Sequence, residues 1–128
     1  MNHIVLAVDE AAELFDKTGA DKAHKAMIEQ VERHIASIAR KGRTAGVHLL
    51  LSTQRPDANT LPPQVKANVS MACCGMANKV LSEIVLDSTA AADLIPRGAR
   101  GRFVANQGAD TYTVFQAYYF DEWRLAYD

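Results

Sequence analysis

Five consecutive apolar positions, Ile4 to Val8, open the chain and stop abruptly at Asp9 and Glu10. An unbroken apolar run of this length suits a strand buried on both faces of a parallel sheet. The residues after it read as a loop, with Thr18-Gly19 as its breaker. Asp21 is placed to cap a long helix in which Met27, Val31, Ile35 and Ile38 recur at spacings of four, four and three and form one apolar stripe. Lys25, Glu29, Glu32, Arg33 and Arg40 fall off that stripe, Gly42 weakens the last turn, and Gly46 is the expected C-cap. Val47 to Ser52 forms a second apolar strand. A strand, a long helix and a strand in succession predict parallel pairing through a right-handed crossover.

Beyond Arg55 the pattern breaks up. Pro56, Pro62 and Pro63 punctuate a loop, with a helical turn expected around Gln64 to Ala67. Val69 to Gly75 reads as a short buried strand. Asn78 to Leu86 has a helical period through Val80, Leu81, Ile84 and Val85, and Ala90 to Leu94 is a shorter helical segment stopped by Pro96. Gly101 to Ala105 and Thr111 to Tyr118 flank Asn106-Gln107-Gly108 and predict a hairpin. A terminal helical turn is expected over Trp123 to Tyr127. No repeat, low-complexity stretch or linker divides the chain, so the expectation is a single α/β domain spanning residues 1–128.

Composition narrows the class without choosing a function. With 128 residues, 48% of them hydrophobic, the chain is long and apolar enough to fold around a core. A formal net charge of −1 excludes a globally basic footprint, so any nucleic-acid contact has to come from a local patch. The apolar runs are far shorter than a membrane span and no signal peptide opens the sequence, which predicts a cytoplasmic segment with no direct membrane contact of its own. The two cysteines, Cys73 and Cys74, are adjacent, and neighbours on a strand point to opposite faces; they are expected to be buried, reduced thiols. The four histidines form no ligand pattern.

The chemistry is concentrated where the two apolar strands end. The first ends in Asp9-Glu10 and the second in Ser52-Thr53-Gln54-Arg55-Pro56. In open parallel sheets ligands bind beyond the carboxyl ends of the strands, so these polar tips would converge on one crevice. They read as the Walker B and sensor strands of a P-loop ATPase. In such a site Asp9 holds Mg2+ through water, Glu10 orients and deprotonates the attacking water, Gln54 hydrogen-bonds the γ-phosphate, and Thr53 and Arg55 complete the nucleotide site. No G-x-x-x-x-G-K-[ST] phosphate loop occurs anywhere, and the first strand lies immediately after the first residues. The chain therefore reads as the rear part of a nucleotide-driven motor, expected neither to bind ATP tightly nor to hydrolyse it by itself.

Val8-Asp9-Glu10, the block from Ile38 to Pro56, Val65-Lys66-Ala67-Asn68-Val69, Ile84-Val85-Leu86-Asp87 and, more loosely, Ala90 to Phe103 together resemble the motor domain of FtsK/SpoIIIE DNA translocases. The resemblance covers most of the chain. It implies a RecA-like fold, ATP and Mg2+ as the cofactors of the intact parent, and a ring, expected to be hexameric, that pumps double-stranded DNA through its pore. It also implies that the parent is tethered to the inner face of the cell membrane by a segment outside this chain. Residue by residue, Asp9 matches the magnesium-associated aspartate, Glu10 the catalytic glutamate and Gln54 the polar sensor. Lys66 and Lys79 match basic positions lining the DNA pore, where phosphate contacts grip DNA without reading its sequence. Arg43 and Arg55 are candidates for an arginine finger.

Two departures qualify the match. Glu83 stands where a pore arginine is expected, and the Ser70-Met71-Ala72 region replaces another arginine. Both remove positive charge, which favours a divergent branch, such as the coupling protein of a mobile element, over a chromosome pump. Arg97, Arg100 and Arg102 restore charge nearby, facing DNA, a neighbouring subunit or solvent. The alternatives to a DNA motor are a degenerate interaction module without catalysis and the motor of a type VII-like protein secretion system.

Overall fold

The computed structural model describes residues 2–108 and 110–121; the helical turn expected over Trp123 to Tyr127 lies outside them. The chain divides into two compact units, Met1–Ser70 and Met71–Asp128, each with its own sheet.

The first unit is built on strands β1 (Ile4–Val8) and β2 (Val47–Leu51), paired in parallel as the strand–helix–strand order predicts, with Ile4 opposite Val47 and Val8 opposite Leu51. Between them run a short helix α1 (Ala11–Phe15) and the long helix α2 (Lys22–Ala45). Asp21 caps α2 by accepting from the His24 amide at 2.8 Å, and Gly46, at φ 70°, ends it in the left-handed conformation that a residue without Cβ adopts cheaply. Helix α3 (Pro63–Lys66) begins with a proline, which fits a position whose amide would be unpaired anyway.

The apolar face of α2 differs from the predicted stripe. Ile28, Glu32, Ile35 and Ala36 are buried, whereas Met27 is 57% exposed. The buried face is turned by about one residue because Glu32 goes inward, where the Lys17 ammonium meets its carboxylate at 2.8 Å. Ala11, Phe15, Ile35, Ala36 and Val65 form the core, with Val8, Val31, Leu49 and Leu51 packed against it. Helix α1 is an addition to the sequence reading, which has a loop here: Ala11, Ala12 and Phe15 are buried, and full burial of a side chain such as Phe15 stabilises by roughly 1.5–3 kcal/mol.

Strand β1 is not buried on both faces. Ile4 and Val5 are 62% and 66% exposed, because β2 is its partner in a two-stranded sheet and α2 packs on β2. Along β2 the half-buried residues Val47, Leu49 and Leu51 alternate with exposed His48 and Leu50, the period of a sheet covered on one face.

The second unit holds strands β3 (Ala72–Cys74), β4 (Arg102–Asn106) and β5 (Tyr112–Gln116) in an antiparallel sheet of order β3-β4-β5. The predicted hairpin is present, with Phe103 opposite Phe115 and their rings stacked at 5.7 Å. The strand predicted over Val69 to Gly75 contracts to three residues and pairs with the hairpin. Cys74 is buried and Cys73, on the opposite face, is exposed, which corrects the expectation that both thiols are buried. Helices α4 (Lys79–Leu86) and α5 (Ala90–Leu94) close the core of Cys74, Leu86, Ala90, Ala91, Ile95 and Val104. Asn78 caps α4 by accepting from the Leu81 amide at 2.9 Å.

Candidate active site

The site is assembled at the carboxyl ends of β1 and β2, and the ladder itself brings the two tips together. The Ser52 amide donates to the Val8 carbonyl at 3.0 Å, and the Ala11 amide donates to the Ser52 carbonyl at 2.7 Å, so the pairing carries past both strand ends. Asp9 and Glu10 therefore stand beside Ser52, Thr53 and Gln54, residues more than forty positions later in the chain.

Asp9 Oδ1 accepts from the Ser52 hydroxyl at 3.0 Å and from the Glu10 amide at 3.0 Å. Glu10 sits in the left-handed region at φ 53°, a conformation costing a residue with a Cβ roughly 1 kcal/mol. It occupies the N-cap position of α1 without capping it, since its side chain turns to β2. There Glu10 Oε1 accepts from the Thr53 hydroxyl and Oε2 from the Gln54 amide at 3.1 Å. Thr53 Oγ1 in turn accepts from the Arg55 amide at 3.1 Å. The Thr53 hydroxyl and then the Gln54 amide hold the Glu10 carboxyl below the usual glutamate range; desolvation and Asp9 oppose them, and the Arg55 guanidinium adds a smaller lowering. Behind the tips lies an apolar recess lined by Ala11, Ala12, Leu51, Pro56 and Leu61.

All five tip residues proposed from sequence, Asp9, Glu10, Thr53, Gln54 and Arg55, are thus placed in one constellation in the first unit. Two contributors were not singled out. Ser52 holds Asp9, and the left-handed turn at Glu10 aims its carboxylate; a polar residue ending an apolar strand was the available signal for Ser52, whereas a non-glycine positive φ leaves none. The basic candidates are dispersed. Lys66 ends α3 in the first unit, where Val65 beside it is fully buried. Lys79 opens α4, and Arg97 and Arg100 lie exposed in the corner before β4, all in the second unit. Arg102 donates from Nε to Gln116 Oε1 at 3.3 Å, and Glu83 is exposed on α4. Arg43 lies exposed in the last turn of α2.

Among the described residues, no group of three or more His, Cys, Asp or Glu side chains is arranged to hold a metal ion. A magnesium ion held through its water shell asks less: one exposed carboxylate with supported orientation, which Asp9 provides.

The chain is 35% identical over 124 residues to the DNA translocase FtsK of Haemophilus influenzae, a match covering 95% of this chain and 21% of that protein. It is 37% identical over 99 residues to the DNA translocase FtsK of Pasteurella multocida, covering 77% of this chain and 10% of that protein. Over these spans the chain is homologous to FtsK DNA translocases. It spans about a fifth or less of the length of these relatives. No family model matches it. Among solved structures, the pCW3 conjugation coupling protein TcpA, in its monomer form with ATPgS, superimposes with a TM-score of 0.85 at 40% identity, over 97% of this chain and 34% of TcpA. The cytoplasmic domain of the type VII secretion ATPase EccC of Thermomonospora curvata superimposes with a TM-score of 0.70 at 25% identity, over 93% of this chain and 12% of EccC. The fold is accordingly the α/β fold of P-loop ATPase motor domains.

No helix among the described residues is long and apolar enough to cross a membrane.

Proposed function

We propose that this chain is a segment of an ATP-driven motor that moves double-stranded DNA. The observation that carries the reading is the joined strand tip, in which Asp9 and Glu10 are each held by a donor from the end of β2. Hydrolysis of a phosphoanhydride needs a carboxylate to orient the metal's water shell and a second one to take a proton from the attacking water. Asp9 serves the first role and Glu10 the second, with Gln54 and Arg55 positioned at the same tip for the γ-phosphate and Thr53 beside them. Mg2+, once bound, neutralises charge on the phosphate oxygens. The chain lacks a phosphate-binding loop, so by itself it neither binds ATP tightly nor turns it over.

Lys66, Lys79, Arg97 and Arg100 are the DNA-facing set. Repeated around a homo-oligomeric ring, hexameric in our reading, a few such cations suffice for sequence-independent grip on phosphates. The likeness to the coupling protein TcpA and the acidic Glu83 support a mobile-element branch, working on the cytoplasmic side and anchored to the membrane through another segment. The likeness to EccC supports a second reading, a motor that exports protein.

ATP turnover by the longer protein that carries this segment, with and without long double-stranded DNA, tests the proposal. We expect DNA to stimulate turnover and Glu10→Gln to abolish it. We also expect Lys66→Ala and Lys79→Ala to remove the stimulation. Turnover indifferent to DNA overturns the DNA reading in favour of protein export, and turnover by the purified 128-residue chain overturns the inactivity of the segment.

A further inference from the structure

The four histidines follow no ligand spacing along the chain, but the pairing of β1 with β2 brings two of them together. His48 lies on β2 opposite Val5, and the Ile4 amide donates to the Gly46 carbonyl at 2.9 Å, which carries the ladder back toward His3. Side chains alternate along a strand, so His3 and His48 share the sheet face that carries Val5, Ala7 and Leu50, all apolar and exposed. Leu49 and Leu51 pack on the core from the other face. His3 Nδ1 stands 2.9 Å from His48 Nε2. The ring centroids are 5.2 Å apart, which leaves about one ring radius on each side of that gap. The imidazoles therefore meet nitrogen to nitrogen along their edges, not face over face, and one nitrogen donates to the other through a single shared proton. This end of the ladder is the one remote from Asp9 and Glu10, which follow Val8.

We propose that His3 and His48 form a binding site for a divalent transition ion of the Zn2+ class, separate from the Mg2+ role given to Asp9 and independent of the ATPase reading. Neutral imidazole suits such ions, whereas Mg2+ asks for oxygen. Imidazole nitrogens sit about 2.0–2.1 Å from Zn2+, so two of them on a tetrahedral ion lie roughly 3.3 Å apart. The pair already stands within a few tenths of an ångström of that spacing. Both rings are exposed, so each can turn about its side-chain bonds until the two lone pairs aim at one point. The protons balance. The one between the rings passes through water to the outer nitrogen of the ring that donated it, and a neutral pair binds without net proton release. Two waters complete the tetrahedron. The ladder holds both backbones, so the ligands are placed before the ion arrives, and the bound ion clasps the residue ahead of β1 to the start of β2.

The test adds zinc chloride to the intact 128-residue chain and follows the histidine ring nitrogens by nitrogen-15 NMR, in wild type, His3→Ala and His48→Ala. We expect His3 Nδ1 and His48 Nε2 to shift together and saturably, with EDTA reversing the change, while His24 and His34, exposed on α2, stay in place. Either substitution should abolish the saturable response in the histidine that remains. A single variant that binds as tightly as wild type overturns the pairing. Parallel shifts of all four histidines, or none at any zinc concentration, overturn the site; the former marks an adventitious ion only. Thermal unfolding gives a second reading, because an ion bound by the folded pair stabilises the fold. Zinc should raise the wild-type midpoint more than that of His48→Ala, a change at an exposed position that leaves the core intact. A wild-type gain no larger than the variant's overturns the clasp.

Discussion

Replacing Ser82 by alanine should cost the second unit about 2–4 kcal/mol. Ser82 is fully buried on α4, and its hydroxyl joins two elements: Oγ donates to the Ser88 carbonyl at 2.6 Å and accepts from the Ala91 amide at 3.0 Å. Helix α5 needs that acceptor. Its N-cap residue, Thr89, makes no cap bond and donates instead to Asp93 Oδ2, so the first amides of α5 rely on Ser88 Oγ and Ser82 Oγ. Removing the hydroxyl strands the amide of Ala91, itself 0% exposed, at about 1–3 kcal/mol for an unsatisfied buried donor. The bond to Ser88, which is only half-buried and can recruit water, adds about 0.5–1.5 kcal/mol. With an m-value of roughly 1–3 kcal/mol per molar urea, the midpoint should fall by about 0.7–4 M at unchanged slope. Urea unfolding followed by circular dichroism measures the loss, and amide hydrogen exchange at Ala91 localises it. Thr89→Ala, which removes an exposed bond, is the control and should cost less than about 1 kcal/mol. A Ser82→Ala loss below about 0.5 kcal/mol, with the slope unchanged and Ala91 still protected, would refute the reasoning.

Three further outcomes are expected. Gly42→Ala should destabilise the first unit by about 1–3 kcal/mol, although the same change in an ordinary helix interior gains up to about 1 kcal/mol, because the new Cβ would lie 2.5 Å from the Val47 carbonyl oxygen; thermal unfolding gives the sign. Glu10 and Asp16 are both held below their ordinary values, Glu10 first by the Thr53 hydroxyl and Asp16 first by the Thr18 amide, so the stability they contribute is present above the unfolded values of 4.5 and 3.8 and lost as pH falls through the lower folded ones; unfolding between pH 5 and pH 2 should show that loss, diminished in Thr53→Val. Burial raises both thiols, but Cys73 is exposed and Cys74 is covered, so under native conditions iodoacetamide should label Cys73 well before Cys74, read by peptide mass spectrometry; equal rates would contradict the opposed placement of the two side chains.

The position of the strand tips was legible because it depends on short-range order: an apolar run followed by charge marks a strand end wherever the strand lies. Asp21 and Gly46 were legible as caps for the same reason, since a cap answers only to the few amides and carbonyls next to it. The face of α2 was not, because a three-residue-wide choice between neighbouring stripes is settled by what packs there. The Lys17 partner brings Glu32 inward, and Met27 is left out.

By itself, the sequence determined the α/β class, the order of most elements, the likeness to FtsK translocases and the five residues placed beyond β1 and β2. Only the tertiary structure decided that Glu10 adopts a left-handed turn and lies between two donors from β2, that Gly42 is small because β2 begins against it, that a buried Ser82 replaces the missing cap of α5, and that β3 joins the hairpin in an antiparallel sheet. Each of these depends on a contact between residues distant in the chain or on a backbone angle chosen by such a contact, and local composition carries no trace of either.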